Sequence, residues 1–239
     1  MESLYIIIPA YNESENIGKV IEQWYPIVEK YHGNGSSRLV IIDDGSRDNT
    51  YEIIEKYAKE KKLLIPITKK NGGHGAAILF GYHYALEHNA DYIFQTDSDG
   101  QTMPEEFPPF WKEKDKYDMI IGDRKKRQDG SARVFVTKVL KYVIRLCFGV
   151  NLKDANTPYR LMKAETLRSY IHLIPKEFNL SNVLIAVIYA KKNCNIKYYP
   201  ITFKPRQGGT NSINLKSITR IGKKAVFDFL ELNRIIENS

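Results

Sequence analysis

Strand-like and helix-like segments alternate through the first hundred residues of this chain. Short runs of apolar and β-branched residues, typical of buried strands, occupy 4–8, 39–42, 63–67 and 91–96. Segments in which apolar side chains recur every three or four residues lie between them, at 14–31, 49–61 and 74–88. Because strands joined through helices pair in parallel, this order predicts an α/β fold with a mainly parallel sheet flanked by helices.

Polar residues follow three of these four strands. The clusters are Pro9-Ala10-Tyr11-Asn12-Glu13, Asp43-Asp44-Gly45-Ser46 and Asp97-Ser98-Asp99. The carboxyl ends of parallel strands meet at one edge of the sheet, where open α/β sheets bind their ligands. Capping of the next helix would explain any one cluster, whereas three clusters at one edge predict a binding site.

The third cluster has the chemistry of a metal site. Residues two apart on a strand point to the same side, so Asp97 and Asp99 would project together, with Gly100 allowing the chain to turn. Paired carboxylates suit Mg²⁺ or Mn²⁺ shared with a diphosphate. The alternative is an acidic turn whose aspartates cap a helix that begins near Pro104.

The regular alternation ends near residue 118. Beyond it we expect strands at 119–122 and 196–203, helices at 134–148, 180–191 and after the loop 206–212, a basic loop at 124–133 and a polar loop at 154–160. No low-complexity linker interrupts the sequence, so we expect a single domain with a C-terminal helical extension.

Charge and composition leave several partners open. The formal net charge is +8 in 239 residues, which is compatible with nucleic acid, anionic lipid or a phosphorylated substrate. No stretch of the sequence approaches the roughly 18 uninterrupted apolar residues of a membrane-spanning helix. The first eleven residues lack the basic start of a signal peptide. The two cysteines are expected to be reduced, as in a cytoplasmic protein.

Two common nucleotide-binding motifs do not occur in the sequence. It contains no GxxxxGK[ST] and no GxGxxG after the first strand, which argues against P-loop and dinucleotide-binding enzymes. Gly72-Gly73-His74-Gly75 precedes a helix, so its amides would either hold an anion or form a plain capped turn. A nucleotidyltransferase is disfavoured because residues 9–13 are not a basic glycine-rich loop. Of the ligands considered, a nucleotide diphosphate held through a metal remains.

In order and spacing, the three polar clusters resemble the donor-site motifs of family 2 glycosyltransferases, which have the GT-A (Rossmann-like) fold. The resemblance is strongest to the dolichyl-phosphate mannose synthase-like branch, which loads sugar onto polyprenyl phosphate. Residues 154–160 resemble the acceptor-side loop of that branch, and residues 203–212 resemble its late basic loop. The implied divisions are a GT-A domain at 1–212, with a nucleotide-sugar half at 1–101 and an acceptor half at 102–212, and an amphipathic helix at 213–239.

The resemblance also implies roles for particular residues. Contacts with the nucleotide sugar are implied for Pro9, Tyr11, Glu13, Asp43, Asp44, Asp97, Arg124 and Arg206. The metal ligands would be Asp97 and Asp99, assisted by Gln101. Phosphate oxygens would be neutralised by Arg124, Arg160 and Arg206, since a planar guanidinium suits them. The candidates for catalysis are Asp154, Asp99 and Arg160.

The implied reaction is inverting transfer of one sugar from a nucleotide-diphosphate sugar, either GDP-mannose or a UDP-hexose. The Gln-x-x-Arg-Trp motif of processive relatives does not occur, so a single addition is expected. A polyprenyl phosphate acceptor is already ionised, whereas a saccharide hydroxyl needs a general base. Many relatives that use hydroxyl acceptors have a carboxylate where residues 178–184 are uncharged here. The acidic residue of the synthase branch is missing there as well, so this departure does not separate the two acceptor classes. Asp154 is left as a base or acceptor-orienting carboxylate, unless it only caps its own loop.

Basic and apolar residues alternate along the predicted helix at 134–148. Lys138, Lys141 and Arg145 fall on one stripe beside apolar side chains. This pattern favours an interfacial helix on an anionic membrane over a nucleic-acid-binding module. The last helix has a similar pattern. We therefore expect a cytoplasmic enzyme, peripheral on the membrane, that does not bind nucleic acid. The alternative is a core helix with a solvated basic side.

Overall fold

A seven-stranded sheet forms the centre of the molecule. The computed structural model describes residues 2–127, 131–205 and 215–238. Its strands are β1 (Leu4–Ala10), β2 (Arg38–Asp43), β3 (Leu64–Thr68), β4 (Tyr92–Thr96), β5 (Met119–Arg127), β6 (Tyr159–Lys163) and β7 (Ile196–Phe203). Its α-helices are α1 (Ile17–Lys30), α2 (Thr50–Glu60), α3 (His74–Glu87), α4 (Pro108–Lys112), α5 (Ser131–Phe148), α6 (Ala164–Tyr170), α7 (Ser181–Lys191) and α8 (Leu215–Asn238).

The strands lie in the order β3-β2-β1-β4-β6-β5-β7. Strands β1 to β4 pair in parallel, as do β5 and β7, and β6 runs antiparallel to both of its neighbours. The predicted α/β fold with a mainly parallel sheet is therefore confirmed.

The direction of the chain across the sheet reverses beside β1. From β1 the chain goes outward through β2 to β3, and it then returns to place β4 on the other side of β1. Such a reversal opens a crevice at the carboxyl ends of the two adjacent strands, because their connections leave in opposite directions. The segments that follow β1 and β4, which carry Tyr11 and Asp97, therefore flank this crevice.

Helices cover both faces of the sheet. Successive side chains of β1 point to opposite faces, so Ile7 joins the core formed with α3 and α7, whereas Ile6 and Ile8 join the core formed with α1 and α2. All three isoleucines are fully buried. Burial on both faces explains why the central strands appear in the sequence as continuous apolar runs.

Two of the expected loops are partly strand. The basic loop expected at 124–133 continues β5 as far as Arg127, because β5 pairs with β7 past a register shift. The polar loop expected at 154–160 ends in β6, which begins at Tyr159. The prediction missed β6 because Arg160 interrupts the apolar run by which a buried strand is recognised.

The last helix packs against α5 and α7. Phe229, Leu232 and Ile236 of α8 are buried, and the rings of Phe229 and Phe148 lie 5.1 Å apart between centroids. Lys191 Nζ of α7 lies 2.7 Å from Glu237 Oε1. The apolar pattern in the second half of α8 therefore serves the core. Within the described ranges, no helix is both long and apolar enough to cross a membrane.

Candidate active site

The loops that follow β1 and β2 hold each other at the mouth of the crevice. Asn12 has a left-handed backbone (φ 53°), and its N–H donates to Ser46 Oγ at 2.9 Å. The N–H of Glu13 donates to Thr50 Oγ1, also at 2.9 Å. These bonds fix the turn after β1, and Tyr11 on that turn is 42% exposed. An exposed ring on a fixed turn suits stacking against a flat ligand.

Other residues expected to bind base and ribose lie deeper than Tyr11. Pro9 is buried inside β1, and Glu13 is 7% exposed. The Glu13 carboxylate accepts a hydrogen bond from Asn16 Nδ2 at 2.8 Å. Both residues therefore shape the turn that presents Tyr11.

Asp43, the last residue of β2, is also an internal residue. It is 2% exposed, and its carboxylate accepts hydrogen bonds from Thr68 Oγ1 at 2.8 Å and from the N–H of Ser46 at 3.3 Å. It thus joins the ends of β2 and β3 at the carboxyl edge of the sheet.

Asp44 is the anion that the glycine-containing loop before α3 holds. Its carboxylate accepts hydrogen bonds from the N–H groups of Gly72 at 3.0 Å and Gly73 at 2.8 Å, and also from Lys69 Nζ. Asp44 itself is 3% exposed. The two amides of the Gly72–Gly75 segment that could hold a ligand anion are thus engaged by a carboxylate of the same chain, and binding of a ligand anion there stays a prediction.

The paired carboxylates Asp97 and Asp99 follow β4 at the crevice, and both are partly exposed. Asp97 Oδ1 accepts a hydrogen bond from Gln95 Nε2 at 3.0 Å and lies 3.6 Å from His74 Nε2. Asp99 Oδ1 accepts from the N–H of Gln101 at 3.1 Å. The short helix that begins at Pro104 has no side-chain cap, so the capping alternative for these aspartates is wrong.

The electrostatics of Asp97 suit a cation. Burial raises the pKa of the Asp97 carboxyl, while the nearby charges of His74 and Arg124 act in the opposite direction. A partly buried carboxylate of this kind is stabilised by a bound cation. No group of three or more metal-ligating side chains occurs in the described part of the chain. Mg²⁺ is usually held by one or two carboxylates, and phosphate oxygens and water fill its remaining coordination positions.

Gln101, the expected third metal ligand, is 3% exposed. Its side-chain Nε2 donates to the main-chain carbonyl of Lys204 at 2.6 Å, and its main-chain carbonyl accepts from the N–H of Lys204 at 2.8 Å. These contacts join the turn that contains Asp99 to the segment after β7. Arg206, two residues beyond Lys204, lies outside the described residues.

Arg124 and Asp154 form a two-pronged ion pair beside the crevice. Arg124 Nε lies 2.7 Å from Asp154 Oδ2, and Nη2 lies 2.8 Å from Oδ1, with both side chains 7% exposed. The guanidinium also lies over the ring of Phe203, 5.0 Å from its centroid. A carboxylate held through both oxygens by a guanidinium is a weak base. The geometry therefore favours a positioning role for Asp154 over a role as general base.

Arg160 lies in the interior, and this corrects its expected placement at a phosphate group. The side chain is fully buried, and its guanidinium donates to the carbonyls of Thr157 at 2.8 Å, Ala155 at 3.0 Å and Asn182 at 2.7 Å. Burial lowers the pKa of the guanidinium. Arg160 thus holds the loop before β6 against the first turn of α7.

Three side chains of the site were not predicted from the sequence. His74 reaches Asp97 because the loop before α3 ends at the same edge of the sheet as β4. Gln95 and Asn182 form a buried pair behind Asp97, with Asn182 Nδ2 3.1 Å from Gln95 Oε1. A glutamine inside an otherwise apolar strand was the available signal for Gln95.

Comparisons with known proteins agree with the motifs. Residues 5–171 match the sequence model described as Glycosyl transferase family 2. An uncharacterized protein of Methanocaldococcus jannaschii is 30% identical over 94% of this chain and 99% of its own length. The undecaprenyl-phosphate 4-deoxy-4-formamido-L-arabinose transferase of Pectobacterium atrosepticum is 24% identical over 83% of this chain, which spans 63% of that protein.

Solved structures with the same fold include nucleotide complexes. The glucosyl-3-phosphoglycerate synthase of Mycobacterium tuberculosis, in complex with Mn²⁺, UDP and phosphoglyceric acid, has a TM-score of 0.69 and 15% identity over 97% of this chain and 78% of its own. S. aureus TarS in complex with UDP-GlcNAc has a TM-score of 0.62 and 18% identity over 92% of this chain and 65% of its own. The fold is thus GT-A, and the matched family model together with the Methanocaldococcus relative shows that this chain belongs to glycosyltransferase family 2.

Proposed function

We propose that this enzyme transfers a single sugar, with inversion, from a nucleotide-diphosphate sugar to a polyprenyl phosphate, and that it depends on Mg²⁺ or Mn²⁺. The observation that carries the proposal is the Asp97–Asp99 pair, which lies partly exposed at the crevice between the ends of β1 and β4. In this account residues 1–101 form the nucleotide-sugar half and residues 102–212 the acceptor half.

The donor side is supported by the ligands of proteins with the same fold. The Mycobacterium synthase was solved with Mn²⁺ and UDP, and TarS with UDP-GlcNAc. In this chain Asp97 and Asp99 would hold the metal, and Tyr11 would stack on the base or ribose. When bound, the metal would stabilise the negative charge that develops on the departing diphosphate. Arg124 adds a cation close to Asp97, where phosphate oxygens would lie.

The contacts of Asp154 support a phosphate as the acceptor. Asp154, the candidate base, is held by Arg124 through both oxygens. A phosphate acceptor is already ionised and does not need a base to remove a proton. The name of the Pectobacterium relative contains undecaprenyl phosphate, which points to the same class of acceptor.

Peripheral attachment to a membrane is supported by the outer surfaces of α5 and α8. Three apolar side chains of α5, spaced three and four residues apart, are exposed: Val139 (45%), Tyr142 (65%) and Leu146 (66%). Lys138, Lys141 and Arg145 of the same helix are exposed beside them. On α8, which packs against α5, Phe227 is 77% and Leu230 47% exposed. We call these exposed residues of α5 and α8 the α5–α8 face. Mixed apolar and basic surface of this kind suits an anionic bilayer.

A panel of donors and acceptors tests the proposal. The enzyme would be incubated with Mn²⁺ and either GDP-mannose or one of several UDP-hexoses, and with either undecaprenyl phosphate in anionic vesicles or soluble saccharides. We expect one donor to give a glycosylated lipid phosphate that partitions into organic solvent. Transfer to a soluble saccharide, with the lipid phosphate left unmodified by every donor, would overturn the proposed acceptor.

A further inference from the structure

Two buried amide side chains lie in line behind the metal-binding carboxylates. Gln95, on β4, is fully buried, and its Nε2 lies 3.0 Å from Asp97 Oδ1. Its Oε1 lies 3.1 Å from Nδ2 of Asn182, which is 3% exposed on the first turn of α7. A continuous line of hydrogen bonds therefore runs from α7 through β4 to Asp97.

The carboxylate at its end fixes the direction of this line. An ionised carboxylate only accepts hydrogen bonds, so Gln95 must turn its N–H groups towards Asp97 and its oxygen towards Asn182. Asn182 must then present its own N–H group to Gln95. Rotating either amide by half a turn would bring two oxygen lone pairs together, so each amide holds the next in a single orientation.

The far end of the line is anchored by Arg160. The carbonyl oxygen of Asn182 accepts a hydrogen bond from Arg160 Nη1 at 2.7 Å. Arg160 also lies directly opposite Gln95 in the register of the β4–β6 pair. Because its guanidinium holds the carbonyls of Ala155 and Thr157 as well, the first turn of α7 cannot shift without disturbing the acceptor-side loop.

Packing alone does not account for these amides. Asn182 Oδ1 is buried and has no hydrogen-bond partner among the described residues. A buried polar atom without a partner destabilises the fold, whereas an apolar side chain would fill the same space without this penalty. Such groups persist where they serve function, and among the described residues the line of amides ends on the Asp97 carboxylate.

We propose that Gln95 and Asn182 are positioning residues for the metal, acting as an amide relay on Asp97. By donating to Oδ1, Gln95 restrains the rotation of the carboxylate that would hold the cation. Asn182 acts only through Gln95, whose orientation it sets. This inference rests on the proposed function, since it takes Asp97 to be a metal ligand. Partners that orient a metal ligand typically contribute 10- to 100-fold to metal affinity.

The first test replaces Gln95 by methionine, which has a similar volume and no hydrogen-bonding amide. Binding of Mn²⁺ would be measured by electron paramagnetic resonance in the presence of UDP and, separately, of GDP. We expect Gln95→Met to raise the Kd for Mn²⁺ by roughly 10- to 100-fold. Tyr92→Phe is the control on the same strand, because it removes the hydrogen bond from the Tyr92 hydroxyl to Asp115 Oδ1 at the start of β4, away from the crevice. It should leave the Kd unchanged.

The second test asks whether Asn182 acts through Gln95. Asn182→Leu should also weaken Mn²⁺ binding, but the double variant should bind Mn²⁺ no more weakly than Gln95→Met alone, because the relay is already broken. A purely structural role would instead give losses that add. If Gln95→Met does not fold, the Kd of Asn182→Leu decides the matter in the same assay.

The outcomes separate the two proposals. If the wild-type enzyme binds no Mn²⁺ with either nucleotide, the proposed metal dependence fails and the relay fails with it. If the wild type binds Mn²⁺ and the relay variants bind it equally well, the proposed function stands and the relay is overturned. Additive losses in the double variant would also overturn it.

Discussion

At the scale of single residues, the motif positions divide into those that face the crevice and those that hold its shape. Tyr11, Asp97 and Asp99 are at least partly exposed, as ligand contacts must be. Asp44 and Arg160 are buried and engaged by other parts of the chain. A motif therefore contains the supports of a site as well as its contacts, and burial separates the two.

Asp44 provides a prediction about a residue that supports the site. Asp44→Ala should weaken the binding of a nucleotide diphosphate by roughly 1.5–3 kcal/mol, the range for loss of a hydrogen bond to a charged group. The structural reason is that Asp44 anchors the loop before α3 through Gly72 and Gly73. Calorimetry with UDP and GDP would measure the loss.

A second variant shows how Asp44 acts. Lys69 is the third partner of the Asp44 carboxylate, so Lys69→Met should also weaken nucleotide binding if the anchored loop is what matters. Unchanged binding in Asp44→Ala would remove Asp44 from the site. A loss in Asp44→Ala with none in Lys69→Met would instead favour direct contact between Asp44 and the nucleotide.

How far the site could be predicted depended on how far apart in the sequence its interacting residues lie. Asp97 and Asp99 were predictable as a pair because residues two apart on a strand end share a side. The contact of Gln95 with Asn182 spans 87 residues and depends on how α7 packs against β4, which no local pattern encodes. The burial of Arg160 was equally hidden, since an arginine in a polar segment normally indicates exposed surface.

At the scale of secondary-structure elements, length decided what could be predicted. The longer helices were predicted within a few residues because several periods of apolar spacing identify them. Helices α4 and α6, with five and seven residues, are too short to display a period. The strand β6 is short and carries Arg160 at its second position, so it resembled a loop.

The start of α2 gives a prediction for pH. Asp48 accepts hydrogen bonds from the N–H groups of Thr50 at 3.1 Å and Ser14 at 3.3 Å, so it joins α2 to the loop before α1. Burial by itself would raise the pKa of Asp48, but the hydrogen bonds from Thr50 and Ser14 outweigh it and lower the pKa. Asp48→Ala should cost about 1 kcal/mol of unfolding free energy at pH 7, the usual net contribution of an intramolecular hydrogen bond.

Because the pKa is lower in the folded state, the stabilisation by Asp48 is fully present above the unfolded-state pKa of about 4. It is lost as the pH falls through the folded-state value. The difference in unfolding free energy between wild type and Asp48→Ala should therefore shrink between pH 5 and the acid limit of folding, as measured by urea titration. Glu177→Gln, at an exposed carboxylate in the loop before α7, is the control and should show little difference at any pH. A difference for Asp48→Ala that stays constant with pH would contradict this account.

At the scale of the whole molecule, the proposed donor site lies at the carboxyl edge of the sheet and the proposed membrane contact on the α5–α8 face. The formal net charge of +8 agrees with an anionic surface, but it agrees with nucleic acid as well. The exposed apolar side chains of the face make the difference, because a phosphate-tracking surface does not need them.

Vesicle binding tests this placement. The enzyme should co-sediment with anionic vesicles at low ionic strength, and binding should fade with added salt, since each basic residue near anionic lipid contributes about 1 kcal/mol. Replacing Tyr142 and Leu146 together by serine should reduce binding without lowering the melting temperature, because both side chains are mostly exposed. Phe80→Ser, at an exposed phenylalanine of α3, is the control and should bind as the wild type does. No binding of the wild type at low ionic strength would contradict the placement.

The most direct test of the central claim is a calorimetric titration of the enzyme with UDP and, separately, with GDP. Each titration is carried out in Mn²⁺ and again in EDTA, on the wild type and on Asp99→Asn. If Asp97 and Asp99 hold a metal that binds the diphosphate, the wild type should bind strongly only with Mn²⁺, and Asp99→Asn should lose most of that gain while keeping its fold. Glu105→Gln, which removes an exposed carboxylate six residues away, should bind as the wild type does. Equal nucleotide affinity in Mn²⁺ and in EDTA, or an Asp99→Asn variant that retains metal-dependent binding, would contradict the account.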